Sequence, residues 1–152
     1  MQFPWQKKRE FFTAEEQQQL VAAIQKAELR TSGEVRLFIE GRCRFMNAVD
    51  RAAEIFANLQ MDKTEARNAT LIYLAVDDKQ AAVFGDVGIH QKVGADYWKA
   101  VVDKMLFEFR QEKLLDGMCT AITRLGEALT EYFPYDKDTD KNELPDEIVF
   151  GK

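Results

Sequence analysis

Two groups of polar residues in the sequence could bind a ligand, mainly through oxygen atoms. We call the first group the Asp86 cluster, and it contains Ser32, Gly33, Glu34, Asn68, Gly85, Asp86, Gly88 and His90. Glu34 and Asp86 offer carboxylate oxygens, and Asn68 offers an amide oxygen. Because Ca²⁺ takes six to eight oxygen ligands in a loose geometry, we expect these three side chains to be metal ligands. The alternative is that Glu34 and Asp86 only cap loops and helix ends.

The glycines and the histidine of the Asp86 cluster predict a ligand-binding loop formed by Gly33, Gly85, Gly88 and His90. Backbone amides that follow Gly85 and Gly88 could form a small anion-binding nest. This loop lacks the GxGxxG spacing and the Walker lysine of phosphate-binding loops. His90 is the single histidine of the chain and has no nucleophile motif beside it. We therefore assign no catalytic residue.

The second polar group, the Asp77 cluster, contains Glu40, Gly41, Arg42, Asp77 and Asp78. It follows the first two predicted strands, and ligands of open α/β sheets usually bind just beyond the ends of such strands. The carboxylates of Glu40, Asp77 and Asp78 form the alternative metal site.

The acidic C-terminal segment also has some of the spacing of a calcium-binding EF-hand loop. The residues at ligand positions are Asp136, Asp138, Asp140, Asn142 and Glu147. Lys141 stands where such a loop needs a glycine for its sharp turn. We therefore interpret the segment as a solvated acidic tail.

Helices and strands must hold these polar residues in place. Hydrophobic spacing predicts helices over residues 13–30, 47–59 and 113–133, a long helix after Gly88, and strands over residues 34–40, 71–76 and 80–84. The short turn at residues 77–79 requires an antiparallel hairpin. The first two strands are joined through a helix, so they should be parallel. The predicted fold is an α/β protein, a three-layer α-β-α sandwich with a small mixed sheet flanked by helices.

Length and composition limit the classes of protein that this chain can belong to. Its 152 residues suit one domain, which we divide into an N-terminal arm (1–12), an α/β domain (13–133) and an acidic C-terminal tail (134–152). A net charge of −5 argues against nucleic-acid binding through bulk charge. We expect no membrane-spanning segment, since no apolar stretch is long enough. The first residues also lack the apolar core of a secretion signal, so the predicted location is cytoplasmic.

Three short motifs, taken in order, resemble those of the TPM-domain family, also called thylakoid-lumen-phosphatase-like. They are Ser32–Val35, Arg67–Asn68 before an apolar strand, and Gly85–His90. The likeness covers about residues 13–133 and is to the short, soluble members. It implies an α-β-α sandwich, calcium binding and, in some relatives, acid phosphatase activity on simple phosphate esters.

The resemblance can be carried over at individual positions. Gly33 and Glu34 match the family's pair at the first strand, and Asn68 matches its asparagine. Gly85 and Gly88 match its glycine turn, with Asp86 between them. Ala69 departs from the pattern, since glycine is common there. All the matched positions fall within the Asp86 cluster. Strand direction places this cluster where the first two predicted strands begin and the third ends, which indicates a functional surface at that end of the sheet.

Three functional hypotheses follow. The first is a cation-binding interaction module, with calcium as the expected cation, that helps in assembly or quality control of a membrane-associated complex through an unidentified protein partner. The second is a weak metal-dependent acid phosphatase that acts on simple phosphate esters. The third is a non-catalytic structural scaffold.

Overall fold

A computed structural model of the protein describes residues 11–135 and 148–151. The helices are α1 (Ala14–Glu28), α2 (Ala48–Asn58), α3 (Val87–Val93), α4 (Ala95–Arg110) and α5 (Leu114–Tyr132). The strands are β1 (Glu34–Glu40), β2 (Ala69–Ala75), β3 (Gln80–Gly85) and β4 (Val149–Phe150). The first ten residues of the predicted arm and the acidic segment 136–147, with its EF-hand spacing, lie outside the described residues.

The four strands form one mixed sheet in the order β3-β2-β1-β4. Strands β1 and β2 are parallel, with Glu34 opposite Ala69, and β2 and β3 form an antiparallel hairpin. Both pairings confirm the predicted topology. Strand β4 lies parallel to β1, with Val149 opposite Phe38. Hydrophobic spacing does not predict this strand, because two residues are too short to show a period.

Helices cover the sheet on both faces and so form the predicted α-β-α sandwich. Val35, Leu37 and Ile39 of β1 face a large apolar core together with residues of α1, α4 and α5. The other face of the sheet packs against α2 in a second core, which includes Phe38 and Phe56. Because both faces are covered, even the charged ends of β1 are buried.

Helix α1 begins where the sequence predicts it. The hydroxyl oxygen of Thr13 accepts a hydrogen bond from the Glu16 amide at 3.0 Å, and the Thr13 amide donates to the Glu16 carboxylate at 2.9 Å. This capping box satisfies two backbone amides that would otherwise lack a helical partner. None of the helices in the described residues is long and apolar enough to cross a membrane.

The long helix predicted after Gly88 is two helices. Gly94 separates α3 from α4 with φ +79° and ψ 169°, a conformation that favours glycine. The chain turns there, and its new direction brings Trp98 of α4 against Gly85 of β3. The break therefore decides which side chains surround the end of β3.

Candidate functional site

Asp86, a predicted metal ligand, is held by contacts within the fold. Its side chain accepts hydrogen bonds from Arg67 Nε at 2.6 Å and Arg67 Nη2 at 2.8 Å, and from the Val87 amide at 2.7 Å at the start of α3. The carboxylate is buried, with 3% of its side chain exposed. The hydrogen bond from Arg67 to Asp86 is the main reason why the pKa of Arg67 is raised. Asp86 thus caps a helix and forms an ion pair, which agrees with the capping alternative.

The other two predicted ligands lie on neighbouring parts of the sheet. Glu34 is opposite Ala69 in the β1–β2 pairing, and the Asp86 amide donates to the Ala69 carbonyl on the other side of β2. Strands lie about 4.8 Å apart, so the backbones of Glu34 and Asp86 are about 10 Å apart. Asn68 donates to the Ser32 hydroxyl at 3.2 Å. Its buried Oδ1 atom has no hydrogen-bond partner.

The Asp86 cluster lacks a compact set of three charged or soft metal ligands. Among residues 11–135 and 148–151, no group of three or more His, Cys, Asp or Glu side chains could hold a metal ion. A cation bound here would therefore depend on the Asn68 amide oxygen and on backbone carbonyls as well as carboxylates. The assignment of Glu34, Asn68 and Asp86 as ligands stays a prediction.

Two glycines of the predicted ligand-binding loop are needed for close packing. A Cβ atom on Gly88 would lie 2.3 Å from the Ala66 carbonyl oxygen and 2.6 Å from that of Arg67. A Cβ atom on Gly85 would lie 2.3 Å from the Trp98 ring. Both positions therefore exclude a larger side chain for structural reasons alone. Gly33 also packs tightly, against the Leu129 side chain.

His90 is held by its neighbour Trp98. The Trp98 Nε1 group donates to His90 Nδ1 at 2.8 Å, and the two rings lie nearly parallel with their centroids 6.5 Å apart. Since Nδ1 accepts this hydrogen bond, the neutral imidazole carries its proton on Nε2. His90 is exposed, so this second nitrogen can donate to a ligand.

A groove with a mainly apolar lining runs along β3 and ends at His90. We call it the β3 groove; it has a volume of about 540 Å³ and is lined by Val49, Ala81, Ala82, Val83, Phe84, Gly85, Asp86, Val87, His90, Ala95, Trp98, Lys99 and Val102. Of the predicted site residues, the structure brings Gly85, Asp86 and His90 into this groove. Glu34, Asn68, Gly33 and Gly88 do not line it.

The groove contains residues that the sequence did not single out as functional. Val49 belongs to the second predicted helix, and its side chain is 61% exposed. Trp98 belongs to the long helix predicted after Gly88 and is 8% exposed, yet it also forms part of the groove wall. Lys99 lies in no sequence motif that would mark it as a functional residue. Only the packing of α2 and α4 beside β3 shows that these residues share one surface.

In the Asp77 cluster, Glu40 is likewise satisfied from within the fold. It accepts from Arg51 Nε at 2.9 Å, from Arg51 Nη2 at 3.0 Å and from the Tyr73 hydroxyl at 2.5 Å. Burial, followed by the hydrogen bond to Glu40, raises the pKa of Tyr73, and the bond to Glu40 is the main cause that raises the pKa of Arg51. Arg51 is separated from Glu40 by a loop, and no sequence signal pairs them.

The remaining carboxylates of the Asp77 cluster organise the turns beside the sheet. Asp78 accepts from the Cys43 amide at 2.7 Å. The Asp77 amide donates to the Gly41 carbonyl at 2.7 Å. These bonds join the loop after β1 to the β2–β3 turn. The metal assignment of Glu40, Asp77 and Asp78 stays a prediction, with Glu40 already paired to a guanidinium.

Comparisons with known proteins agree with this architecture. The BA42 protein from the psychrophilic bacterium Bizionia argentinensis, solved by NMR, is 41% identical, with a TM-score of 0.86 over 95% of this chain and 99% of that one. Two N-terminal domains share the fold at low identity. That of cg2496 from Corynebacterium glutamicum is 10% identical, with a TM-score of 0.63 over 78% of this chain and 74% of that one. That of a protein from P. gingivalis is 12% identical, with a TM-score of 0.66 over 82% of each chain.

No curated protein matches the chain. The family model described as the TPM domain matches residues 6–128, which include β1 to β3, α1 to α4 and most of α5. This range covers the Asp86 cluster, the Asp77 cluster and every residue that lines the β3 groove. The chain therefore belongs to the TPM domain family.

Proposed function

We propose that this protein is a binding module rather than an enzyme and that the β3 groove is its ligand-binding surface. The observation that carries the proposal is the groove itself, an apolar cavity of about 540 Å³ open to solvent. Its rim holds Val49 and Val87, whose side chains are 61% and 51% exposed. Ligand sites are typically apolar concave surfaces with a few well-placed polar groups. The imidazole of His90 and the ammonium group of Lys99 supply such groups.

The electrostatics of the two polar clusters support binding over catalysis. Asp86 is neutralised by Arg67, and Glu40 is neutralised by Arg51. A carboxylate that acts as a general base or nucleophile needs access to its substrate, whereas these two are buried and hydrogen-bonded to guanidinium groups. They stabilise the walls and ends of the sheet that carries the groove.

The test is a titration followed by ¹⁵N–¹H NMR with three probes: an anionic naphthalene dye, a medium-chain fatty acid and a short apolar peptide. At least one probe should shift the amides of residues that line the groove. Ala95→Trp should block binding, because Ala95 lies in the groove. The matched control is Ala100→Trp, an exposed position of the same helix that does not line the groove. If no probe shifts groove amides, the proposal fails.

Calcium binding at the Asp86 cluster is a second candidate, favoured by one observation. The Oδ1 atom of Asn68 is buried and accepts no hydrogen bond, and a cation beside it would satisfy that atom. The Arg67 guanidinium already forms an ion pair with the Asp86 carboxylate, so calcium would compete with it for the carboxylate oxygens. We expect Arg67→Met to increase the calcium-induced rise in Tm, and Asn68→Ala to remove it. Asp78→Asn in the Asp77 cluster is the control, and no change in Tm at millimolar calcium in any variant would exclude the site.

Phosphatase activity and a role in assembly of a membrane-associated complex stay predictions from the family resemblance. In a metal-dependent phosphatase, the carboxylates of the Asp86 cluster would hold a cation that binds the phosphate group. Asp86→Asn keeps a good helix cap but removes the charge. Hydrolysis of a chromogenic phosphate ester should then disappear, and unchanged turnover in this variant would rule out the Asp86 cluster as the site.

A further inference from the structure

Strand β3 is an edge strand, and its outer side faces the β3 groove. The sheet order places β2 on one side of β3 and no described strand on the other. An edge strand presents unpaired backbone N–H and C=O groups that can pair with another chain. A groove that lies along such an edge can therefore bind backbone as well as side chains.

The pairing pattern identifies which backbone groups of β3 point outward. The Asp86 amide donates inward to the Ala69 carbonyl of β2 at 2.9 Å. In an antiparallel pair, the direction of the backbone groups alternates from residue to residue. The N–H and C=O groups of Ala81, Val83 and Gly85 consequently point away from β2. No backbone bond from these three residues to a turn or loop occurs within the described part of the chain.

The sequence of β3 carries none of the usual protections of an edge. Natural edge strands are often guarded by lysine, proline or a bulge, but β3 reads QAAVFG, and its six residues pair with β2 without a break in register. Ala81, Ala82 and Gly85 have small or no side chains, which leaves space beside the strand. Val49 on one side and Val102 on the other contribute apolar walls.

The charge at the rim indicates what the occupant should carry. Asp86 is neutralised by Arg67, whereas Lys99 is exposed and forms no ion pair with the described residues. The charge of the lining that is left uncompensated is therefore positive. A carboxylate on the occupant would complement it.

We infer that β3 binds an extended segment of a partner protein, which adds to the sheet as a further strand. The segment has apolar side chains at alternate positions that pack against Trp98 and Val102, and an acidic residue that pairs with Lys99. Main-chain hydrogen bonds to Ala81, Val83 and Gly85 supply affinity, and the groove walls select the side chains. This inference rests on the proposed binding function of the β3 groove and names its partner class.

The probe is a six-residue peptide of alternating valine and threonine that ends in glutamate, matched in length to β3. In an NMR titration, the amides of Ala81, Val83 and Gly85 should shift and exchange more slowly with solvent, and those of Ala82 and Phe84 should be little affected. A peptide with N-methylated backbone at alternate positions should bind at least about tenfold more weakly, since it cannot complete the hydrogen bonds.

Two protein variants separate backbone pairing from apolar contact. Ala81→Pro removes one outward N–H, and proline is tolerated in edge strands where that group faces solvent. We expect about fivefold weaker peptide binding. Ala81→Val has a similar volume and keeps the donor, so it is the matched control for packing. Lys99→Gln should weaken binding of the glutamate peptide but not of the same peptide ending in glutamine.

Different failures have different meanings. If the fatty acid or dye binds in the groove but the peptide does not, the inference fails and the proposed function stands. If the N-methylated peptide binds as well as the parent peptide, the groove recognises side chains only and the inference also fails. Shifts of the outward amides with protein concentration alone, with a doubled mass, would mean that a second copy occupies the edge and would overturn the inference. If no probe binds, both proposals fail.

Discussion

Replacement of Arg51 by methionine tests whether the Glu40 carboxylate is satisfied within the fold. The Glu40 side chain is 6% exposed and receives two hydrogen bonds from Arg51, at 2.9 and 3.0 Å. Arg51→Met removes both and leaves the carboxylate in place with the Tyr73 hydroxyl as a donor. The guanidinium carbon of Arg51 also lies over the Phe38 ring, 5.7 Å from its centroid, and methionine replaces this cation–π contact with an apolar one. The substitution therefore acts mainly on the charge.

The expected loss follows from the burial of the two partners. Removal of one member of a buried ion pair costs about 3–5 kcal/mol, because the other charge stays buried and uncompensated. The Arg51 side chain is itself 25% exposed, so in the variant water can reach Glu40 and replace part of the hydrogen bonding that the guanidinium provided. We therefore expect the lower end, a decrease of about 3 kcal/mol in the free energy of unfolding. For a chain of this size, that corresponds to a decrease in Tm of about 6–12 °C.

Urea unfolding followed by circular dichroism measures this loss, and a surface variant controls for it. Glu54 accepts the third hydrogen bond of Arg51, at 2.6 Å, with 42% of its side chain exposed. Glu54→Gln should cost less than about 0.5 kcal/mol. The double variant Glu40→Gln with Arg51→Met should lose less than the sum of its single variants, since they share one interaction. A loss for Arg51→Met as small as that for Glu54→Gln would refute the reasoning.

Three further predictions concern packing and titration. Gly88→Ala should lower the free energy of unfolding by about 2 kcal/mol, because its Cβ would lie 2.6 Å from the Arg67 carbonyl oxygen; a thermal melt with unchanged Tm would contradict this. Burial and the bond to Glu40 raise the pKa of Tyr73, so its contribution to stability is fully present below the ordinary tyrosine pKa of about 10 and is lost as pH rises through the raised value. Burial raises the pKa of Tyr97 as well, so ultraviolet titration should reveal more than one late-ionising tyrosine, and Tyr73→Phe should remove one of them. Burial also raises the pKa of the Cys119 thiol, so iodoacetamide at pH 8 should alkylate it more slowly than in urea, and equal rates would count against that environment.

Local patterns in the sequence predicted much of the framework. Strand β1 is observed over residues 34–40, as alternation predicted, and the β2–β3 hairpin follows from an apolar run beside a short turn. Helix α1 starts at the capping box of Thr13 and Glu16, where the first predicted helix begins. These signals involve residues within a few positions of one another, so the chain does not need its tertiary fold to express them.

The ends of strands were also predictable, but the partners of the side chains there were not. Strand direction correctly placed Asn68 and Asp86 at the same end of the sheet. It could not show that Arg67 turns its guanidinium onto Asp86, or that Arg51 reaches Glu40 from another element. A carboxylate alone in a sequence is equally suited to a metal ion, a helix cap or an ion pair. Which of these it joins depends on the distance and burial that packing imposes.

The sequence by itself determined the sandwich, its hairpin and the position of the polar clusters, because hydrophobic periodicity and turn residues act locally. Only the tertiary structure decided that Gly94 turns α4 toward β3, that Val49 stays exposed, and that an apolar groove lies beside an unguarded strand edge. The physical reason is that a groove is a space between elements. Its walls come from α2, β3 and α4, and no local pattern records how closely three such elements approach one another.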